Sequence, residues 1–146
     1  MLKIKKNYTV VVIKNIHEHQ IDKEGKDTFK YGEAGAVFSI TKNISDETTV
    51  FIKKEIKIEE LIEWLVNSPF EIDLIFIEGF RNLDYPTILC IKDWEEYEPQ
   101  LTDNVLMVSG VICSKRSNKN EEIKIEIPII NIQDEFEKFL DIFNID

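Results

Sequence analysis

The stretch Asp73-Leu74-Ile75-Phe76-Ile77-Glu78-Gly79-Phe80-Arg81 decides the fold of this 146-residue chain. Its four consecutive apolar residues leave no polar face for water. The run therefore reads as a strand buried on both faces, the most buried of the chain, as in a parallel sheet covered by helices. It stops at an acid and a glycine. In open α/β sheets, ligands gather outside the carboxyl ends of the strands, which makes Glu78 the sharpest candidate position. An acid placed there organises magnesium or its waters in nucleotide hydrolases. Gly79 allows a tight turn or close approach of a ligand. The plain alternative is a solvated acid at an ordinary strand end.

Toward the N-terminus, Thr9-Val10-Val11-Val12-Ile13 is a second run expected to be buried on both faces, closed by Lys14. A polar loop with two histidines extends from Asn15 to Lys26. Asp27 to Tyr31 reads as a short helix capped by Asp27, with Gly32 and Gly35 bracketing its end. Val37–Ile40 and Thr48–Ile52 alternate as strands around the turn residues Asn43 to Glu47, which predicts a hairpin. Ile58, Leu61, Ile62, Leu65 and Val66 share one helical face, and Pro69 prevents its continuation.

Toward the C-terminus, Thr87–Ile91 and Val105–Val108 are further strands, and Pro128-Ile129-Ile130 is a short apolar segment. In the last helix Asn131 is the candidate cap, and Phe136, Phe139, Leu140 and Phe143 form the buried stripe. Ser114 to Glu122 is a polar loop. Apolar strands spaced by helices predict one α/β domain over residues 1–146, with a mostly parallel sheet flanked by helices and a local β-hairpin.

Composition narrows the chemistry. A net charge of −10 argues against general nucleic-acid binding. The charge is uneven: residues 1–57 hold 11 Lys against 8 acids, so the basic half is the one suited to an anionic ligand such as a phosphate, unless the two halves are simply solvated differently. No apolar run reaches membrane-spanning length, and the basic N-terminus lacks the features of a signal peptide. The two cysteines fit a reduced, cytoplasmic setting better than a disulfide framework.

Three polar clusters lie at strand ends: Lys14 through Thr28, Glu78 through Arg81, and Lys92-Asp93 with Glu95 and Glu96. Lys26 is suited to a phosphate as a point charge. The surrounding loop is no P-loop. Gln20 stands where the first glycine of G-x-x-x-x-G-K-[ST] belongs, and Asp27 stands where the hydroxyl belongs. A turn followed by a helix cap accounts equally well for the loop. His17 and His19, with Asp22 or Glu78, make a weak metal signal against the simpler reading of surface histidines. Trp64 and Trp94 read as packing groups.

Taken in order, these segments resemble the molybdopterin-guanine dinucleotide biosynthesis protein B (MobB) family. The resemblance rests on Val11–Lys14, the His-bearing loop, Asp22-x-x-Gly25-Lys26-Asp27-Thr28, Gly35-Ala36, and Asp73 through Arg81. The tail, Val105 to Gly110 followed by Ile127-Pro128-Ile129 and a helix, is also similar. It implies a P-loop nucleotidase-like fold, here without the P-loop strand and helix that precede this region in the family. Residues 2–6 would be the remnant of that helix. It implies GTP as ligand with magnesium at Glu78, and a frequent homodimer. The implied partner is the molybdenum-cofactor guanylyltransferase or another protein of the pathway. Lys14, His17, Asp22, Gly25, Lys26, Asp27, Thr28, Glu78, Gly79 and Phe80 carry over as nucleotide- or phosphate-binding positions. Asn15 departs from the family, which often has histidine there.

Without a P-loop, the β- and γ-phosphates lose their main ligands, so the chain is not expected to hydrolyse GTP alone. Three functions remain open: an adaptor in molybdenum or tungsten cofactor biosynthesis, a GTPase subunit whose P-loop comes from elsewhere, and an unrelated α/β interaction module.

Overall fold

The computed structural model describes residues 7–115 and 126–145. The remnant expected at residues 2–6 lies outside them, as does the polar loop beyond Lys115. The chain forms two compact units, Met1–Arg81 and Asn82–Asp146.

In the first unit, β1 (Val10–Lys14) pairs in parallel with β4 (Leu74–Glu78). The register runs from Val10 opposite Leu74 to Lys14 opposite Glu78. Asp73 closes the start of the ladder, since its Oδ2 accepts the Thr9 N–H at 2.6 Å. The expected double burial does not hold. Among the described residues, Leu74 to Ile77 are half-buried and Val12 is 64% exposed, so the β1–β4 ladder is not covered on both faces.

Between these strands come α1 (Asp27–Glu33), β2 (Phe38–Lys42), β3 (Thr48–Ile52) and α2 (Ile58–Val66). The N-cap of α1 is Lys26, with extended backbone, and not the expected Asp27, which is the first helical residue. An acid there still favours the helix N-terminus through the dipole. Gly32 lies inside the helix. Gly35, at φ +94°, ends it. The Gly35 N–H reaches Gly32 O and the Ala36 N–H reaches Tyr31 O, both at 2.9 Å, which is the Schellman arrangement.

The expected hairpin forms, with β2 and β3 antiparallel. Asn43 Oδ1 organises its turn by accepting the Ser45 and Glu47 N–H groups, and Asp46 takes φ +62°. In α2, Ile58, Leu61, Ile62 and Leu65 are half-buried. Val66 faces water in the last turn, where Asn67 caps the Glu63 carbonyl with its side chain.

In the second unit, β5 (Thr87–Cys90) pairs in parallel with β6 (Val105–Ser109). Ile129 adds a parallel bridge to Val108. A 3-10 turn over Trp94–Glu96 leads into α3 (Tyr97–Gln100), and α4 (Phe136–Phe143) follows the bridge. Met107 and Val108 are fully buried, which makes β6, not β4, the most buried strand. Phe136, Phe139 and Leu140 are buried as the periodicity predicts, and Phe143 packs on Phe139 with ring centroids 5.4 Å apart. Asn131 does not cap α4. Its Oδ1 accepts the Gln133 N–H, and its carbonyl accepts Glu135 N–H at 2.8 Å, so it shapes the turn before the helix. Among the described residues, no helix is long and apolar enough to cross a membrane.

Candidate functional site

The parallel register of β1 and β4 determines the first half of the site. Because Lys14 and Glu78 are register partners at the carboxyl ends of both strands, their side chains meet, with Lys14 Nζ 2.7 Å from Glu78 Oε1. Both remain more than half exposed, so the pair contributes about 0–1 kcal/mol to stability. A pair that weak is free to open for a ligand. Beyond it, the Asn15 N–H donates to the Glu78 carbonyl at 2.9 Å, and Gly79 turns with φ +85°. A Cβ at position 79 would lie 3.1 Å from the Asn15 Cβ, so glycine answers both the turn and the close approach. Phe80 follows, half-buried.

Asp22 governs the second half. It is 7% exposed and is the one buried residue between Asn15 and Asp27. Thr28 Oγ1 donates to its Oδ1 at 2.7 Å, and Lys53 Nζ lies 2.7 Å from its Oδ2. The Lys53 ammonium beside it holds the Asp22 carboxyl below its ordinary pKa. Desolvation opposes that shift, and the Thr28 hydroxyl assists it. Two of the carried-over residues, Asp22 and Thr28, are therefore turned toward each other, and Asp22 also meets Lys53.

The other expected positions lie on the exposed surface of the same unit. His17 and His19 are exposed in the loop. Gly25 takes φ +86° with open space around it. Lys26 is exposed, and its carbonyl accepts the Lys30 N–H at 3.1 Å. Asp27 pairs with Lys30 at 3.4 Å.

Among the described residues, no three His, Cys, Asp or Glu side chains group as a metal site requires. Magnesium takes near-octahedral oxygen ligation and is commonly held by one or two carboxylates plus substrate phosphates. Glu78 supplies one carboxylate, already neutralised by Lys14. That donor set fits only a magnesium ion that arrives with a phosphate ligand and draws Glu78 away from Lys14.

The third polar cluster closes on itself. Glu96 Oε2 accepts the Lys92 N–H at 3.1 Å, and the Asp93 carbonyl accepts the Glu96 N–H. Sequence reasoning missed Lys53. Its only signal was position, one cation directly after the apolar end of β3.

Comparison with known proteins places this geometry in context. The profile described as molybdopterin guanine dinucleotide synthesis protein B matches residues 2–114. A proposed molybdopterin-guanine dinucleotide biosynthesis adapter protein of Methanocaldococcus jannaschii is 36% identical over 89 residues. That alignment covers 58% of this chain and 36% of the relative, so the chain spans about a third of that protein. The crystal structure of Bacillus subtilis MobB superposes with a TM-score of 0.70 at 21% identity, covering 97% of this chain and 83% of the other. A MobB homologue from Bacillus stearothermophilus gives 0.64 at 14% identity, covering 97% and 80%. At such identities the superpositions show a shared fold.

Proposed function

Since the chain belongs to the molybdopterin guanine dinucleotide synthesis protein B family, we propose that it is an adaptor in molybdopterin-guanine dinucleotide biosynthesis, acting in the cytoplasm. It holds a nucleotide or its phosphates at the strand ends and presents the ligand to the guanylyltransferase of the pathway. The observation that carries this reading is the in-register Lys14–Glu78 pair at the carboxyl ends of β1 and β4. It sets a cation and a carboxylate side by side where α/β sheets bind ligands.

A polyphosphate would draw Lys14, together with Lys26 and His17 of the loop, while Glu78 would turn to the accompanying magnesium. Gly25 and Gly79, both at positive φ, let the backbone come near. In this division Asp22, Asp27 and Thr28 shape the loop, and Phe80, half-buried, follows the turn at Gly79.

The 146 residues contain no G-x-x-x-x-G-K-[ST] sequence, so nothing in them supplies the amide cradle and lysine that stabilise a transferring phosphoryl group. The chain by itself therefore binds without turning over. The family match sets aside an unrelated interaction module.

A homodimer is also part of the proposal. One face of the hairpin presents Phe38, Ile40 and Val50 to water at 58%, 66% and 39% exposure. These positions are cross-strand neighbours, since Ile40 pairs with Val50 and Phe38 with the half-buried Ile52. A second copy offers a matching apolar face.

Calorimetry with GTP and magnesium tests the reading, on the chain alone and with the guanylyltransferase. Saturable heat abolished in Lys14→Ala, with no phosphate release, supports it. Magnesium-dependent hydrolysis by the isolated chain that vanishes in Glu78→Ala would overturn the adaptor reading.

A further inference from the structure

The loop from Asn15 to Lys26 carries two of the groups assigned to the ligand, yet it has a single buried anchor, Asp22. What fixes Asp22 comes from far along the chain. Lys53, the residue directly after β3, sends its ammonium to within 2.7 Å of Asp22 Oδ2. That ammonium lies 5.6 Å from the centroid of the Phe29 ring and 5.8 Å from that of Phe51, within the range of a cation–π attraction to each. Its stem lies where a side chain on α1 would otherwise sit, since a Cβ at Gly32 would come within 2.9 Å of Lys53 Cε. The Lys53 N–H is tied as well, donating to the Val37 carbonyl at 2.9 Å. Both ends of this residue are therefore held, one by the hairpin backbone and one by two rings, a glycine gap and a carboxylate.

We propose that Lys53 is a positioning residue for the candidate phosphate site: it fixes Asp22, and through Asp22 the loop that presents His17 and Lys26. Thr28 completes the brace from α1, donating to the other carboxylate oxygen. The brace makes hairpin, helix and loop one mechanical piece, so the loop need not be ordered by the ligand at the moment of binding. Lys53 itself is not a ligand group, because its charge is spent on Asp22.

The ligand in this inference rests on the nucleotide-handling reading, and the test separates the two. Pyrophosphate is titrated into the whole chain, wild type and variants, with backbone amide shifts of residues 14–28 as readout. Lys53→Met, which keeps an unbranched apolar stem and removes the charge, is expected to weaken binding about tenfold, the low end for loss of a supporting partner. Lys53→Arg restores most of the affinity. Asp22→Asn, which keeps the shape and a bond to Thr28, behaves like Lys53→Met, and the double variant is no worse than either single one.

Gly35→Ala, which strains the end of α1 without touching the brace, controls for general destabilisation. If it weakens binding as much as Lys53→Met, or if Lys53→Met binds as wild type does, the proposal fails. If the wild-type chain does not take up pyrophosphate, the functional reading falls, and the brace is judged on the free protein. There, Lys53→Met should raise the Asp22 carboxyl titration seen by carbon-13 NMR and speed exchange of the Lys26 amide, which now donates to the Lys23 carbonyl. An unchanged titration and exchange rate would overturn it.

Discussion

Asp22 concentrates the physics of the first unit in one side chain. Lys53 and Thr28 favour its charged form, so its folded pKa lies below the ordinary 3.8. Stability from the pair is therefore fully present above pH 3.8 and is lost as the pH falls through the lower folded value. Asp22→Asn is expected to lower the melting temperature at pH 7, and the difference from wild type should shrink as the pH is taken below 3.8. A constant difference across that range would show that the charge is not what Asp22 contributes. Gly79 makes a second prediction. At φ +85°, with the Asn15 Cβ 3.1 Å from where a methyl group would lie, Gly79→Ala should cost about 1–2 kcal/mol in denaturant unfolding. The placement of Glu78 at a strand end and of Gly25 and Lys26 in a loop turn was legible from sequence, because strand ends and glycines announce themselves locally. Lys53 was not, since its role depends on a carboxylate and two rings that only the fold brings to it.

At the scale of elements, the strands and helices follow from local pattern, because apolar runs and a 3.6-residue period are properties of neighbouring residues. The caps were less legible. Asp27 and Asn131 are good cap residues by type, but Lys26 begins α1 and Asn131 shapes a turn, since side-chain oxygens have several backbone N–H groups within reach. Burial was the least legible: an apolar run shows that a strand can be covered, not that anything covers it. The hairpin is where this matters most. Ile40→Lys places a charge on its exposed face while leaving Ser39 buried on the other. The substitution should leave the fold intact and shift sedimentation from dimer to monomer. A wild-type monomer at micromolar concentration would remove the hairpin interface.

Across the whole molecule, stability and candidate function occupy different sequence ranges. Among the described residues, the buried hydrophobic side chains run from Leu89 to Leu140, whereas the candidate site spans Lys14 to Phe80. Met107→Ala, at a fully buried position, should cost about 2–5 kcal/mol, and the amides of β6 should be among the slowest to exchange. Among its described residues, the unit that carries the site has no hydrophobic side chain buried to that degree, and its buried anchors include the Asp22–Lys53 pair. If a phosphate-bearing nucleotide is held at the carboxyl ends of β1 and β4, amide shift mapping with GTP and magnesium will show perturbations at residues 14–17, 25–28 and 78–80 that are absent in Lys14→Ala. Perturbations confined to residues 82–145, or none at millimolar nucleotide, would rule that site out.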